Sequence, residues 1–297
     1  MLIGVDQGYT YTKNSKGVIF PSRVRVGETI DINNVIEVQI EGKSYIVGEK
    51  ESNFTVDTNK VDDEKTKVCI LTSIAKSTER EITDVKLITG LPPGQYKQQK
   101  EKLKDMLLDS GLTKIIINNQ KKYLRIIKAD VFVQGAGPIF LNPNQYRNAK
   151  VLVIDIGGLT IDCCYFENMK LEKYRTYEKG MLKLYSQMIS EVNSKLELNL
   201  DVIDGERVLN EGIKIYGKYQ NLRFLEPAIN SHVEGFMTDI KLDFPIKTVD
   251  YIILIGGGSK GLNERLQKYM PNAELFHDSQ FTNATCYEQI GRVRFGE

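Results

Sequence analysis

The sequence predicts an α/β protein of two lobes, and three glycine turns that follow apolar runs are the basis for this prediction. Residues 151–156 form an apolar run interrupted by Asp155, as expected of a strand buried on both faces of a sheet. Residues 2–5 form a similar run that ends in Asp6 before a second glycine turn, and residues 251–255 lead into three consecutive glycines. Because the acidic strand-and-turn arrangement occurs twice, the sequence implies a duplicated fold whose two acidic turns face each other across a cleft.

The composition is that of an ordinary globular protein. The 297 residues include 41% hydrophobic side chains, enough to bury a substantial core in one or two domains. A formal net charge of +1 gives no bulk electrostatic field that would favour direct binding of nucleic acid. The four cysteines have no C-x-x-C spacing; the adjacent Cys163 and Cys164 are expected in the core, which fits a reducing, cytoplasmic compartment. There is no basic and apolar leader and no apolar run near ~18 residues, so neither secretion nor membrane spanning is expected.

The glycine turns are the candidate ligand-binding elements. Glycine lets the backbone turn sharply and bring its N–H groups close to an anion such as a phosphate. A single Gly-Gly turn between strands is also typical of a plain hairpin, so the set of three turns is far more specific than any one of them. The candidate residues in the three turns are Asp6, Gly8, Tyr9 and Thr10, then Asp155, Gly157, Gly158, Leu159 and Thr160, and finally Gly256, Gly257, Gly258 and Ser259.

In order and spacing, residues 6–10, 155–162 and 255–259 resemble the phosphate-1, phosphate-2 and adenosine motifs of the actin superfamily. Within that superfamily the chain is most similar to the plasmid-segregation actins of the ParM type. Further segments that are similar to landmarks of those proteins are 87–92, 133–137, 179–182 and 280–284. The resemblance covers nearly the whole chain and implies an actin-like fold, which is a duplicated ribonuclease-H-like fold of two lobes with the nucleotide in the cleft between them.

The same resemblance implies a function. It implies a Mg²⁺-dependent nucleoside triphosphatase that hydrolyses ATP or GTP and polymerises with copies of itself into filaments. It also implies that these filaments drive plasmid DNA segregation through a DNA-binding adaptor of the ParR type on the plasmid centromere. The near-zero net charge agrees with DNA contact through an adaptor and not directly.

The resemblance assigns catalytic and metal-binding roles to three polar residues. Gln134 is expected to orient the attacking water, as a glutamine does in other phosphate-hydrolysing enzymes, without acting as a full base. Asp6 and Asp155 are expected to hold Mg²⁺, mostly through water, because this ion keeps much of its hydration shell. From spacing alone, Gln134 is better explained as a polar residue at the start of a helix.

Three other residues have two open interpretations each. Lys13 is either a point charge that reaches a β- or γ-phosphate or a solvated strand lysine. Glu206 and Asn210 lie four residues apart on one face of a predicted helix over 201–210, where they either reach the ribose or face solvent. His232 and His277 have no ligand partner at metal spacing and are expected on the surface or packed.

Two features qualify the resemblance. Tyr9 and Leu159 stand where small or hydroxyl residues often occur in these turns, which removes a side-chain phosphate contact and leaves the backbone amides. The alternative function is a non-polymerising phosphotransferase of the same superfold, such as a sugar or acetate kinase. That alternative needs a base aspartate at a second substrate pocket, and the sequence offers no convincing candidate. A chaperone-type ATPase is disfavoured because no substrate-binding domain follows.

The turns and the apolar patterns predict a division into two lobes, and the resemblance implies that the C-terminal helix crosses back onto the first lobe. The first lobe comprises residues 1–148, with a small subdomain inserted at roughly 16–66, and the C-terminal helix segment 280–297. The second lobe comprises residues 149–279. Predicted strands cover 2–5, 18–26, 35–40, 44–47, 85–88, 115–117, 123–127, 130–133, 151–156 and 170–177, and predicted helices cover 68–76, 95–108, 180–196, 201–210, 227–242 and 283–292, with a loop over 49–67.

Overall fold

The computed structural model describes residues 1–28, 35–49, 61 and 63–297, which form two compact units. Unit 1 comprises Met1–Leu141 and Phe281–Glu297, and unit 2 comprises Asn142–Gln280. Residues 142–148 therefore cluster with unit 2, whereas the sequence analysis placed them in the first lobe.

Unit 1 is built on a mixed sheet. Its described strands form one nine-stranded sheet in the order β3-β2-β1-β7-β9-β8-β5-β6-β4. The strands are β1 (Leu2–Gln7), β2 (Tyr11–Asn14), β3 (Ile19–Pro21), β4 (Val24–Val26), β5 (Ile36–Ile40), β6 (Lys43–Val47), β7 (Ile82–Leu91), β8 (Leu112–Ile117) and β9 (Gln120–Val133). The helices are α1 (Glu64–Ala75), α2 (Pro93–Leu108), α3 (Gly137–Leu141) and, from the end of the chain, α9 (Thr282–Phe295).

The start of the chain differs from the sequence prediction. The predicted strand over 18–26 is wrong as a single element, because β3 and β4 lie at opposite ends of the sheet order. Strand β3 ends at Pro21, which has no N–H group to continue a ladder. Strand β2, which the sequence analysis did not predict, pairs with β1 in a tight hairpin.

The next segments of unit 1 are partly as predicted. The hairpin over 35–47 is confirmed, because β5 and β6 pair around a turn in which Glu41 and Gly42 have positive φ. The predicted loop over 49–67 is wrong at its end, since α1 begins at Glu64 with the Asp63 side chain accepting from the Lys65 amide. The rest of that loop lies mostly outside the described residues.

Helix α9 crosses strands β1 and β7 at two glycines. A Cβ atom added to Gly4 would lie 2.7 Å from the Glu288 amide nitrogen, and one added to Gly90 would collide with the Tyr287 ring. The opposite face of this sheet packs on α1 and α2 in an apolar core. The helix therefore lies directly on the strand whose end carries Asp6, as the prediction that the C-terminal helix joins the first lobe requires.

Unit 2 is built on a five-stranded sheet in the order β12-β11-β10-β15-β16, within the described chain. Its strands are β10 (Lys150–Ile156), β11 (Ile161–Glu167), β12 (Lys170–Tyr177), β15 (Tyr251–Ile255) and β16 (Ala273–Leu275), with the small hairpin β13 (Lys214–Ile215) and β14 (Lys218–Tyr219). Its helices are α4 (Pro143–Tyr146), α5 (Met181–Leu196), α6 (Asp204–Glu211), α7 (Glu226–Asp243) and α8 (Gly257–Gln267), with a 3₁₀ turn at Arg223–Leu225.

The core of unit 2 lies between this sheet and its helices. The predicted apolar stripe of α5 is confirmed, since Leu184, Met188 and Val192 are buried against β10 and β11. Helix α7 carries Pro227 in its first turn, where a missing N–H group costs no helical hydrogen bond. Among the described helices of both units, none is long and apolar enough to cross a membrane.

We expect the protein to lose stability in mild acid because of His232, on α7. The ring packs edge-on against Phe236, and burial, together with Lys183 and Lys179, lowers the pKa of His232 to about 4. An unfolded chain, with a histidine pKa of about 6.5, binds more protons than the folded chain below that pH. Stability is therefore full above pH ~6.5 and falls toward pH ~4.

We expect the free energy of unfolding to fall by about 2 kcal/mol from pH 7 to pH 5 through this residue. Denaturant unfolding at both pH values should show the loss in wild type and in His277→Gln, which changes the chain's other, exposed histidine. The loss should be much smaller in His232→Gln. An equal loss in His232→Gln would assign the acid sensitivity to other groups.

Candidate functional site

The two acidic turns have the same backbone geometry. In the β1–β2 hairpin of unit 1, the Gly8 amide donates to the Tyr11 carbonyl at 3.0 Å. In the β10–β11 hairpin of unit 2, the Gly157 amide donates to the Thr160 carbonyl at 2.9 Å. In each turn, the amide of the glycine that follows the acidic strand end donates to the carbonyl three residues further along the chain. The duplication expected from the sequence is therefore present in the hydrogen bonds of each unit.

The unit 1 hairpin pairs its acid with a base. Asp6 and Lys13 are register partners on β1 and β2, and the Lys13 ammonium lies 3.9 Å from a carboxylate oxygen of Asp6. Lys13 is only 8% exposed, so its interpretation as a solvated strand lysine is wrong. A buried carboxylate is costly without a partner, and here Lys13 compensates the charge of Asp6 within the unit.

Gln134 lies beside the same carboxylate. It follows β9, and its backbone amide donates to the Leu91 carbonyl at 2.9 Å. Its side-chain Nε2 donates to Asp6 Oδ1 at 3.0 Å, and the residue is buried. Strand pairing between β7 and β9 thus brings Gln134 to Asp6 across 128 residues of sequence.

Tyr9 and Thr10 differ in the hydrogen bonds of their side chains. Tyr9 is buried, and its hydroxyl accepts from Gln95 Nε2 at 3.2 Å, so its ring ties the turn to the first turn of α2. Thr10 is also buried, and its hydroxyl has no hydrogen-bond partner within the described residues. A buried hydroxyl without a partner is costly, so Thr10 is suited to a polar ligand atom at this turn.

In the unit 2 hairpin, a second acidic residue, Asp162, lies opposite Asp155. Asp155 and Asp162 are register partners on β10 and β11, and both are buried. Asp162 accepts from the hydroxyls of Thr160 at 3.1 Å and Thr176 at 2.5 Å. The sequence analysis quoted Asp162 within the motif but gave it no role; an antiparallel register counted outward from the turn is the signal that would have found it.

Helix α5 anchors the second turn from behind. The amides of Gly180, Met181 and Leu182 donate to the carbonyls of the three turn residues at 2.8 to 3.0 Å. The turn amides of Gly158 and Leu159 donate to no acceptor within the described part of the chain. A fixed turn with two open N–H groups is suited to binding an anion.

The third turn lies against the second within unit 2. Gly256 has a φ of +86°, and a Cβ atom at this position would collide with Asp155 Oδ1. A Cβ atom at Gly258 would collide with the Met181 side chain at the start of α5. Ser259 is fully buried, and its hydroxyl donates to the Ile255 carbonyl, so its side chain supports the turn from the protein side.

The two polar residues of α6 lie beside the start of α8. Glu206 Oε1 is 3.6 Å from the position that a Cβ atom of Gly257 would occupy. Asn210 is exposed, and its Oδ1 is 2.9 Å from the corresponding position at Gly261. The fold therefore brings Glu206 to the third turn and places Asn210 one turn further along α8.

The two cysteines of unit 2, Cys163 and Cys164, are buried free thiols. Burial raises the pKa of the Cys163 and Cys164 thiols well above the usual range, and the Asp162 and Asp155 carboxylates raise both further. Both side chains stay protonated at neutral pH and belong to the core, as the sequence predicted.

The acidic residues fit a hydrated Mg²⁺ better than a metal held by protein ligands alone. Among the described residues, no group of three or more His, Cys, Asp or Glu side chains could hold a metal ion. Mg²⁺ needs only one or two carboxylates plus water and phosphate. Asp155 faces a second acid, whereas Asp6 faces Lys13, so the second hairpin has the more suitable charge for a cation.

Two units that each carry an acidic strand and a glycine-closed turn define a duplicated class of α/β protein. Residues 4–137 match the family of N-terminal domains of actin-like proteins. Residues 153–268 match the C-terminal domain of MreB-like archaeal actin homologues. The chain belongs to the actin-like proteins.

Solved structures share the fold of this chain. The chain is similar to an archaeal actin homologue in complex with ADP, with a TM-score of 0.83, 20% identity, and 98% of this chain and 99% of that chain covered. It is also similar to a non-polymerisable quadruple mutant of pCBH ParM, with a TM-score of 0.79, 25% identity, and the same coverage. A 15-stranded ParM filament from Clostridium botulinum gives a TM-score of 0.79 at 24% identity, again over 98% and 99% of the chains. No curated protein sequence matches the chain.

Proposed function

We propose that this chain is a nucleoside triphosphatase that assembles into filaments under the control of its bound nucleotide. The observation that carries the proposal is the repeated hairpin, closed in unit 1 by Gly8 and in unit 2 by Gly157, with a buried acid at each strand end. The similarity to the ADP-bound archaeal homologue and to ParM filaments supports it.

In this proposal the nucleotide binds to backbone and side-chain groups of the three glycine turns and of the residues beside them. The Thr10 hydroxyl and the amides of Gly158 and Leu159 bind phosphate oxygens. The Gly256–Gly258 turn admits the nucleoside close to the backbone, and Glu206 binds the ribose. Lys13 compensates Asp6 and adds positive charge near the phosphates.

The catalytic roles that we propose use the same contacts. Gln134, fixed by its hydrogen bond to Asp6, orients the attacking water. Asp155, with Asp6 as the second candidate, would hold Mg²⁺ mostly through water, and the ion would neutralise charge on the phosphates. Either ATP or GTP satisfies these contacts.

The cellular role that this proposal supports is plasmid segregation. Filaments of this chain would carry plasmid DNA in the cytoplasm through a ParR-type adaptor bound to the centromere. The net charge of +1 supports an adaptor, because a chain that neutralised many phosphates itself would carry a basic surplus.

Phosphate release tests the catalytic part of the proposal. The purified chain should release phosphate from ATP or GTP in the presence of Mg²⁺ with no acceptor molecule added. Thr10→Val should weaken triphosphate binding about tenfold, the scale of one lost hydrogen bond to a charged group. Thr238→Val, which changes an exposed threonine on α7, is the matched control.

Two outcomes would contradict the proposal. A chain that binds no nucleotide under any condition would show that the hairpins serve only the fold. A chain that consumes triphosphate only when a sugar or acetate is added, and phosphorylates it, would establish the phosphotransferase alternative.

A further inference from the structure

The backbone turns sharply directly after Gln134. Strand β9 ends at Val133, and Gly135 has a φ of +81°, in the left-handed region that glycine adopts without strain. Helix α3 then begins at Gly137. Gln134 therefore lies between a strand and a turn, and the position of its side chain depends on how the peptide groups on both sides of it are held.

Both of these peptide groups are hydrogen-bonded to other parts of unit 1. The Gln134 amide donates to the Leu91 carbonyl at 2.9 Å, which holds the side nearer β9. The Gly135 amide donates to the side-chain Oδ1 of Asn283 at 3.3 Å, which holds the side nearer α3. Gln134, Gly135 and Asn283 are all buried, so a buried amide that loses its acceptor is left at a cost.

Asn283 lies in the first turn of α9, and this helix is packed on the strand that carries Asp6. A Cβ atom added to Gly4, two residues before Asp6 on β1, would lie 2.7 Å from the Glu288 amide nitrogen of α9. The backbones of the helix and the strand are therefore in contact. As a result, α9 fixes the Asn283 side chain relative to Asp6, the residue to which the Gln134 side chain donates.

We propose that Asn283 is a positioning residue for hydrolysis, because it holds the turn from which Gln134 reaches Asp6. The inference rests on the proposed function, in which Gln134 orients the attacking water. Without the Asn283 acceptor, the buried Gly135 amide has to find another partner, and the peptide group that joins it to Gln134 rotates. A displacement of a reacting group by about 1 Å is enough to slow a reaction by up to ~10²-fold.

The competing explanation is that Asn283 only anchors α9 to the rest of unit 1. Glu288 offers a matched comparison, because it is also buried on α9 and also anchors this helix. Its carboxylate pairs with Lys16, between β2 and β3, at 2.9 Å, and with Arg292 at 2.6 Å. A change of Glu288 therefore weakens the attachment of α9 through contacts other than the one to Gly135.

Three single variants separate the two explanations. Asn283→Ala removes the acceptor, Asn283→Asp keeps an acceptor oxygen in its place, and Glu288→Gln removes the charge that anchors α9. In Asn283→Ala we expect kcat for phosphate release to fall by about tenfold or more, with KM and the nucleotide Kd nearly unchanged. Asn283→Asp should recover most of the lost rate, and Glu288→Gln should hydrolyse nearly as fast as wild type. Circular dichroism checks that each variant folds.

The double variant Gln134→Ala, Asn283→Ala tests whether Asn283 acts through Gln134. It should hydrolyse at the rate of Gln134→Ala alone, because a positioning residue has no effect once the residue that it positions is gone. Hydrogen exchange at the Gly135 amide, followed by NMR, adds a measurement that needs neither hydrolysis nor a folded variant. This amide should be protected in wild type and should exchange faster in Asn283→Ala.

The inference is overturned if the Gly135 amide of wild type is unprotected, or if folded Asn283→Ala hydrolyses as fast as wild type. It is also overturned if the two substitutions slow the double variant independently, or if Glu288→Gln is as slow as Asn283→Ala. All of these outcomes leave the proposed function in place, because wild type still hydrolyses the triphosphate. A wild type that hydrolyses no triphosphate contradicts the proposed function itself, and the inference with it.

Discussion

Asp155→Asn is expected to abolish nucleotide hydrolysis while the chain stays folded. The substitution keeps the size of the side chain and removes its charge at the end of β10, directly against Gly256 of the third turn. If Asp155 organises Mg²⁺ and water, hydrolysis should fall by at least ~10²-fold, the scale of losing one electrostatic catalytic group. Steady-state phosphate release and circular dichroism measure the two properties on the same sample.

The matched control is Asp250→Asn. Asp250 immediately precedes β15, the neighbour of β10, at the end of the sheet away from the glycine turns. Its loss should leave hydrolysis within about twofold of wild type. Hydrolysis at the wild-type rate in a folded Asp155→Asn variant would refute the assignment of Asp155.

Gln134→Ala is expected to slow hydrolysis by about 10²-fold with nucleotide affinity nearly unchanged, because a water-orienting group acts on the chemical step. Filaments of the variant should persist longer once formed, because the triphosphate is consumed slowly. The variant also removes a hydrogen bond to buried Asp6. Single-turnover hydrolysis and equilibrium nucleotide binding separate the two effects.

Gln289→Ala, which removes an exposed glutamine of α9, is the control for this experiment. Parallel loss of binding and hydrolysis in Gln134→Ala would point to a structural role at Asp6. Unchanged hydrolysis would mean that another group positions the water.

The sequence predicted the elements that local patterns define. Apolar runs followed by glycine turns located β1, β10 and β15 and the start of α8, because a buried strand and a sharp turn each have a strong local signature. Helical spacing likewise located α5 and α7. The resemblance to the actin superfamily then ordered these elements into a fold, which the comparisons confirm.

The sequence analysis did not find the side-chain contacts that depend on strand pairing. The burial of Lys13 follows from its register opposite Asp6, which no pattern in residues 11–14 reveals. The same register logic puts Asp162 opposite Asp155. The hydrogen bond from Gln134 to Asp6 needs β9 to lie beside β7 and β7 beside β1, which only the assembled sheet establishes.

The central claim, nucleotide-controlled assembly, is tested most directly by sedimentation of the purified chain. Pelleting is measured over a range of protein concentrations with no nucleotide, with Mg-ATP or Mg-GTP, and with a non-hydrolysable triphosphate, and the pellets are viewed by electron microscopy. We expect filaments above a critical concentration only with a triphosphate, persisting with the non-hydrolysable one and disassembling as ATP or GTP is consumed. A chain that stays monomeric at high concentration with every triphosphate would contradict the account.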